Sequence, residues 1–195
     1  MKGMLPSGLE KELLRPGEVT VLAGPHGQGK TSLALQLALS AVGRKDAAAI
    51  FSLKTEKSRL LKRCLCLETG IPLAAGRPPL HIFDTVASVK EILRLSQALS
   101  RKAKGKLGLV VVDYVELVSE MQDDGAAQAA RTLRGLAREL DVPVLLLSLG
   151  KRRGDTVGTV QRDIKKVLLK VSRRGSGRRK IRLSFDRING RLFKP

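Results

Sequence analysis

An eight-residue stretch near the N-terminus decides the fold: Gly24-Pro25-His26-Gly27-Gln28-Gly29-Lys30-Thr31. It matches the pattern G-x-x-x-x-G-K-[ST], and it lies between a short apolar run and a helical pattern. Glycines let the backbone wrap closely around phosphate groups, so that amide N–H groups point inward. The stretch therefore predicts a phosphate-binding loop between a strand and a helix.

The side chains of this loop predict a nucleotide that carries β- and γ-phosphates, together with Mg²⁺. Lys30 is expected to reach the β- and γ-phosphates, and Thr31 to offer its hydroxyl to Mg²⁺. The helix that begins near Lys30 adds the positive end of its dipole. His26 falls at a variable position, where solvent exposure is favoured over a phosphate contact. The predicted nucleotide-binding residues are Gly24, Pro25, His26, Gly27, Gln28, Gly29, Lys30, Thr31 and Ser32.

A carboxylate at the end of a neighbouring strand is the second requirement of such a site. Residues 109–112 are apolar and are followed by Asp113. This order places the acid at the carboxyl end of a buried strand, where ligands bind in parallel sheets. Asp113 is therefore predicted to hold Mg²⁺ with the Thr31 hydroxyl, and Lys30 and Asp113 are the principal catalytic candidates. The alternative is an aspartate that only ends a strand.

Strand-like and helix-like segments alternate along the first 150 residues. The alternation predicts an α/β fold with a mostly parallel twisted sheet and helices on both faces. The predicted strands are 19–23, 48–53, 80–83, 107–112 and 144–149. The predicted helices are 30–42, 56–68, 86–104 and 126–140. Together with a lead-in over 1–15 and a basic segment over 151–195, they are expected to form one domain over 1–195.

The C-terminal segment is predicted to form an antiparallel hairpin at the sheet edge. Residues 167–171 and 180–185 look like strands, and the connection 172–179 contains glycines and four arginines. Glycines permit a tight turn between paired strands. The tip of this hairpin is expected to be small and strongly positive.

The charge is concentrated at the C-terminal end. The chain has 37 basic and 18 acidic residues, a net charge of +19, and residues 151–195 contribute +13 of it. Such a concentration favours a polyanion, above all nucleic acid, as partner, although a solvated surface is the simpler alternative. The predicted nucleic-acid contacts are Arg152, Arg153, Arg173, Arg174, Arg178, Arg179 and Lys180.

Composition excludes several classes of protein. Aromatic residues make up only 3%, so a binder of single strands built on several stacking rings is not expected. No apolar run reaches the roughly 18–20 residues of a membrane span, and no secretory signal opens the sequence. Cys64 and Cys66 have no ligand partners at metal spacing. They are expected to be buried thiols of a cytoplasmic protein.

Several further motifs give the sequence a resemblance to one family. They are Phe51-Ser52-Leu53, Val112-Asp113-Tyr114 followed by Glu116-Leu117, residues 136–144 (LARELDVPV), and Leu183-Ser184-Phe185-Asp186. With the phosphate loop, they resemble the RecA-type motor domain of DnaB-like replicative helicases over roughly residues 5–193. The resemblance implies an ATP-binding fold that forms hexameric rings around single-stranded DNA.

The chain departs from that family at three catalytic positions. The family pattern has a glutamate after Phe-Ser-Leu, the base that activates water, and here the residue is Lys54. An ammonium cannot accept that proton at neutral pH, although it can lie against the γ-phosphate. The γ-phosphate sensor glutamine is replaced by Leu149. The segment that carries the arginine finger looks shortened, which leaves Arg173 or Arg174 as candidates.

These departures predict retained ATP binding with weak or lost hydrolysis. Glu56 lies two residues after Lys54 and would point the same way if the strand continued, so it is a candidate substitute base. A position at the start of a helix is the alternative for Glu56. The short acidic segment 122–125 lies where the family places a DNA-facing loop, which weakens the ring model.

Three functional hypotheses remain open at this point. The first is an accessory binding module, which binds ATP and DNA or docks on a replicative helicase. The second is an active minimal DNA-stimulated helicase motor. The third, a small-molecule kinase or GTPase on the same loop, has no acceptor-site or guanine-selecting motif to support it.

Overall fold

A computed structural model describes most of the first 148 residues and three short strands beyond them. The described residues are 9–24, 29–67, 79–86, 88–102, 106–114, 125–148, 165–168, 184–186 and 191–193. Their helices are α1 (Leu9–Leu13), α2 (Lys30–Gly43), α3 (Lys57–Leu67), α4 (Val89–Lys102) and α5 (Gly125–Leu140). Their strands are β1 (Val19–Ala23), β2 (Ala47–Ser52), β3 (Leu80–Phe83), β4 (Leu107–Asp113), β5 (Val144–Ser148), β6 (Lys165–Leu168), β7 (Ser184–Asp186) and β8 (Arg191–Phe193).

The main sheet is parallel throughout. Within the described residues it has six strands in the order β3-β2-β4-β5-β1-β6, and each neighbouring pair runs in the same direction. The predicted α/β fold is confirmed, and the predicted bounds of β1 and β3 agree with the structure. The other predicted elements up to residue 148 begin and end within one to three residues of their predicted bounds, where those bounds fall on described residues.

Helices cover both faces of this sheet, which is why the strands are apolar along their whole length. On one face α2 and α3 bury Leu33, Leu37 and Leu60 against strand residues such as Ile50 and Val111. On the other face α4 and α5 bury Ile92, Leu133 and Leu136 against alternating strand residues that include Phe51 and Val112. Cys64 is buried in the first of these layers, as predicted, whereas the burial predicted for Cys66 lies outside the described residues.

The sheet brings four chain segments to one edge. Ala23 pairs with Ser148, Asp113 pairs with Leu147, and Ser52 pairs with Asp113. Four strands, β1, β2, β4 and β5, therefore have their carboxyl ends at the same edge of the sheet. The chain passes from β1 to α2 at this edge. Ligands bind at this edge in parallel α/β sheets.

The C-terminal strands differ from those predicted. β6 lies beside β1 in the main sheet, parallel to it. The antiparallel hairpin is formed by β7 and β8, with Ser184 opposite Phe193. Residues 167–168 and 184–185 thus belong to different sheets, so the prediction that 167–171 pairs with 180–185 is corrected for the residues that are described.

The lead-in contains a short helix, α1, that the sequence patterns did not predict. The Thr20 hydroxyl in β1 donates a hydrogen bond of 2.6 Å to the Leu13 carbonyl oxygen. Glu10 forms an ion pair with Arg44 at the end of α2 and accepts a hydrogen bond of 2.9 Å from Ser40. These contacts hold α1 against the end of α2. Of the described helices, none combines the length and the apolar composition needed to cross a membrane.

Candidate nucleotide-binding site

The start of α2 is built to receive an anion. Gly29 precedes the helix with a φ of 75°, a backbone conformation that glycine adopts without steric cost. The first N–H groups of α2 donate no hydrogen bond to a side chain at the N-cap, because that residue is Gly29, and the first turn has no acidic residue. Lys30 occupies that turn, where the helix dipole disfavours a cation. A bound phosphate would satisfy both the N–H groups and the ammonium.

Lys30 is directed into the interior at the end of the phosphate loop. The residue is 2% exposed, and its Nζ donates a hydrogen bond of 2.5 Å to the Gly24 carbonyl oxygen. Gly24 in turn donates its N–H to the Ser148 carbonyl oxygen at 3.2 Å, which ties the loop to the end of β5. The predicted ligands in 25–28 lie outside the described residues.

Thr31 and Asp113 meet although 82 residues separate them in sequence. The Thr31 hydroxyl donates a hydrogen bond of 2.9 Å to Asp113 Oδ2. Asp113 is 1% exposed, and its Oδ1 is a buried oxygen without a hydrogen-bond partner among the described residues. Hydroxyl and carboxylate oxygens are the hard ligands that Mg²⁺ prefers. The unpaired oxygen and the nature of the donors both fit the predicted Mg²⁺.

Burial raises the pKa of Asp113, because water no longer solvates its charged form. The hydrogen bond from Thr31 and the positive charges of Lys30, Arg63 and Lys54 act in the opposite direction and favour the carboxylate. Desolvation is the larger effect. A bound divalent cation would complete the charge compensation of this buried group.

Lys54 lies at the same edge of the sheet, in a tight turn after β2. Leu53 donates its N–H to the Asp113 carbonyl oxygen at 2.8 Å, so the turn begins beside the carboxylate. The Ser52 hydroxyl donates to the Thr55 carbonyl oxygen at 2.7 Å and accepts from the Thr55 N–H at 3.1 Å. Within this turn, Lys54 Nζ lies 5.4 Å from the centroid of the Tyr114 ring.

Glu56 lies at the start of α3 and not on an extended strand. β2 ends at Ser52, so the condition under which Glu56 would point the same way as Lys54 is not met. The Glu56 backbone carbonyl oxygen accepts from the N–H groups of Arg59 and Leu60, and its side chain is exposed and accepts from Ser58 at 3.4 Å. The position is that of a helix start, and catalysis by Glu56 stays a prediction.

No role in the site is predicted from the sequence for Arg63, or for Tyr114, which stands there only within the Val112-Asp113-Tyr114 motif. The Tyr114 ring lies against the ammonium groups of both Lys30 and Lys54, and Tyr114 directly follows Asp113, which was a usable signal. Arg63 acts on Asp113 from α3, and no local pattern marks it. Ser32 lies in the first turn of α2, as predicted. Other predicted site residues lie outside the described set: Leu149, Arg152, Arg153, Arg173, Arg174, Arg178, Arg179 and Lys180.

The sheet order and the placement of this edge define the class of protein. A Gly-Lys-Thr helix start after β1 that faces an aspartate at the end of β4 is the arrangement of a P-loop nucleotide-binding domain with a RecA-like fold. The chain belongs to the AAA domain family, whose model matches residues 6–152.

The curated relatives that the chain matches are replicative DNA helicases. The replicative DNA helicase DnaB of Rhodothermus marinus is 33% identical in an alignment 172 residues long, which covers 73% of this chain and 18% of that protein. DnaB of Synechocystis sp. is 30% identical in an alignment 161 residues long, which covers 69% of this chain and 18% of that protein. DnaC of Bacillus subtilis, also a replicative DNA helicase, is 28% identical and covers 78% of this chain. The chain thus spans a minor part of these relatives.

Solved structures show the same fold. One solved ATPase domain superposes with a TM-score of 0.63 at 24% identity, covering 75% of this chain and 65% of that one. A DnaB-like replicative helicase, solved in a study of its interactions with primase, gives a TM-score of 0.60 at 23% identity. It covers 76% of this chain and 45% of that one. The resemblance to DnaB-like helicases that the sequence motifs predicted is confirmed.

Proposed function

We propose that the chain is an ATP-binding domain of DnaB-like type that acts on DNA and hydrolyses ATP weakly or not at all. The observation that carries this proposal is Lys54, which stands at the edge of the Thr31–Asp113 pair where the family pattern has the water-activating glutamate. The phosphate loop and the Mg²⁺ aspartate are retained, so binding is expected to survive where catalysis does not.

Binding is assigned to residues that the fold brings together. Backbone N–H groups at the start of α2 and the Lys30 ammonium bind the phosphates, while Thr31 and Asp113 hold Mg²⁺. That ion neutralises charge on the β- and γ-phosphate oxygens when it is bound. Lys30 and Asp113 are buried, so water is excluded from their interactions with the phosphates and Mg²⁺. These electrostatic interactions are stronger as a result.

Hydrolysis requires a group that accepts a proton from the attacking water. A lysine ammonium donates hydrogen bonds and has no lone pair with which to accept a proton. A general base contributes about 10²–10⁴ in rate, and an arginine finger about 10³–10⁵. The loss of the base alone therefore explains a large drop in turnover, and an absent finger would deepen it.

DNA binding is proposed from charge. Residues 151–195 carry sixteen basic and three acidic residues. Such a segment attracts the phosphate backbone without reading sequence, and single-stranded DNA is the ligand expected by resemblance. We place the chain in DNA replication in the cytoplasm. It would act there as a homo-oligomer or as a module docked on a replicative helicase.

The test is ATP binding and steady-state hydrolysis by the purified chain, with and without single-stranded DNA. We expect ATP to bind and turnover to equal that of Lys30→Ala, a variant that removes the phosphate-binding ammonium. DNA-stimulated turnover that Lys30→Ala abolishes would contradict the proposal and support an active motor. In that case Glu56→Gln would show whether Glu56 leaves the start of α3 to act as the base.

A further inference from the structure

Two ammonium groups lie against one aromatic ring at the nucleotide edge of the sheet. Lys30 Nζ is 5.5 Å and Lys54 Nζ is 5.4 Å from the centroid of the Tyr114 ring. Tyr114 is 7% exposed and directly follows Asp113, so the ring is a fixed surface beside the carboxylate. A ring face attracts cations within about 6 Å. The Tyr114 ring therefore holds the ammonium groups of Lys30 and Lys54 close to each other.

The backbone also fixes where Lys54 lies. The Ser52 hydroxyl closes the turn by bonding to both the N–H and the carbonyl oxygen of Thr55. The Leu53 N–H bonds to the Asp113 carbonyl oxygen, which prevents the turn from moving away from β4. Lys54 is itself exposed, so its ammonium can meet a ligand that approaches from solvent.

The strand order sets which phosphate Lys54 can reach. The phosphate loop follows β1, Asp113 ends β4, and Lys54 follows β2, which lies beyond β4 in the order β2-β4-β5-β1. Neighbouring strands lie about 4.8 Å apart, so Lys54 is on the far side of Asp113 from the loop. A phosphate chain that starts at the loop and extends toward Asp113 brings its terminal phosphate nearest to Lys54. A diphosphate has one phosphate fewer, so its terminal phosphate lies farther from Lys54.

Among the described residues, three positive charges act on one carboxylate at this edge. They are the charges of Lys30, Lys54 and Arg63, and the carboxylate is that of Asp113. In a site where the Lys54 position held a glutamate, two carboxylates would oppose two of these cations, and a divalent metal ion would be needed to bring in a triphosphate. Here a third cation stands in place of that second carboxylate.

We propose that Lys54 contacts the terminal phosphate and makes this a triphosphate-selective site whose ATP binding depends only weakly on Mg²⁺. The ammonium supplies part of the charge compensation that the divalent cation otherwise supplies. This inference rests on the proposed ATP binding and specifies which nucleotide the site retains and under what ionic conditions.

The experiment is isothermal titration of the full chain with ATP and with ADP, each in Mg²⁺ and in EDTA. Lys54→Met removes the charge and keeps an unbranched apolar stem beside Tyr114. We expect it to weaken ATP binding about tenfold, the scale of one charge-assisted hydrogen bond, and ADP binding less than about twofold. The ATP loss should be larger in EDTA, and Lys54→Arg should restore most of it. Lys90→Met, an exposed lysine of α4, is the matched control and should change neither nucleotide.

Two results would overturn the inference while leaving the proposed function intact. One is an equal loss of ATP and ADP affinity in Lys54→Met. The other is a wild type that loses as much ATP affinity in EDTA, relative to Mg²⁺, as Lys54→Met does. Absence of ATP binding by the folded wild type in every condition would overturn both proposals. Circular dichroism of each variant separates loss of binding from loss of folding.

Discussion

The buried carboxylate of Asp113 lowers the stability of the ligand-free protein and is available for ligand binding. Its side chain is 1% exposed, and Oδ1 has no hydrogen-bond partner among the described residues. In the ligand-free protein the desolvation of this carboxylate outweighs the compensation that Thr31 and the nearby cations supply. Asp113→Asn removes that charge and keeps an oxygen to accept from Thr31. We expect the ligand-free variant to gain about 1 kcal/mol in unfolding free energy, which is ~3 °C in melting temperature for a chain of this size.

The same variant should lose the extra thermal stabilisation that Mg²⁺ adds to ATP, which is small in the wild type because Lys54 supplies part of the charge compensation. Thermal melting with ATP, with and without Mg²⁺, measures this directly. Ser148→Ala is a control for a buried polar residue at the neighbouring strand end. A variant that melts below the wild type without ligand, or that still responds to Mg²⁺, would contradict this role for Asp113.

His81 predicts a dependence of stability on pH. Burial lowers its pKa below the usual 6.5, with a smaller contribution from the positive charge of Lys57, and its ring stacks on Phe83. The folded state therefore binds the proton less tightly than the unfolded chain does. Its contribution to stability is present above pH 6.5 and is lost as the pH falls through the lowered pKa.

Replacement of His81 by glutamine tests this prediction. Urea unfolding at pH 7.5 and at pH 5.5 should show a smaller loss of stability on acidification for His81→Gln than for the wild type. An equal loss in both proteins would mean that other groups carry the pH dependence.

For individual residues, the sequence predicts only those contacts that follow from the spacing of residues within one motif or one apolar run. The spacing of Lys30 and Thr31 is set by the loop pattern, and Asp113 is marked by the apolar run before it, so their meeting is predictable. The turn that positions Lys54 depends on a serine hydroxyl bonding across three residues, and Arg63 acts from a different helix. No hydrophobic period encodes such contacts.

At the scale of elements, β4 contains an irregularity centred on Gly108. Ala47 pairs with Leu107 and Ala48 with Leu109, so Gly108 is an extra residue opposite β2. Leu107 and Leu109 consequently pack on opposite faces of the sheet, although they are two residues apart. A Cβ on Gly108 would lie 2.5 Å from the Asp46 Cβ, which no real contact tolerates.

Two glycine-to-alanine variants form a matched pair that tests this packing. Gly108→Ala is expected to destabilise the protein by about 1–3 kcal/mol, since Asp46 or the strand must move. Gly135→Ala, in α5 with open space around the added methyl group, should stabilise it by about 0.5–1 kcal/mol through helix propensity. Equilibrium urea unfolding of both variants measures the difference, and a neutral Gly108→Ala would show that the strand accommodates the side chain.

Long apolar elements are predictable and short peripheral ones are not. β4 and β5 each contain four consecutive apolar residues, and β1 is apolar apart from Thr20, so all three were predicted as strands. β6 contains two lysines, and β7 and β8 have three residues each, so their partners depend on contacts distant in sequence. The predicted hairpin therefore paired the wrong segments, and α1 at five residues was too short for a helical period to show.

At the scale of the whole molecule, the net charge of +19 predicts DNA binding that depends steeply on salt. With the seven basic residues predicted to contact DNA, the affinity for single-stranded DNA should fall by about 10³-fold or more between 50 and 200 mM salt. Arg173→Ala with Arg174→Ala should reduce the slope of log affinity against log salt by about 1.4. Arg131→Ala, an exposed arginine of α5, is the control. Fluorescence anisotropy over this salt range measures the slope, and a flat dependence would contradict binding through phosphates.

The claim at the centre of this account is that the chain binds ATP and does not turn it over. The most direct measurement is a single-turnover assay in which protein exceeds labelled ATP and single-stranded DNA is present. A typical enzyme rate of about 10 s⁻¹, lowered by the loss of a general base, predicts a rate below about 0.1 s⁻¹, with the bound nucleotide recovered as ATP. A rate near 10 s⁻¹ that Lys30→Ala abolishes would contradict the account and show that another group activates water in this site.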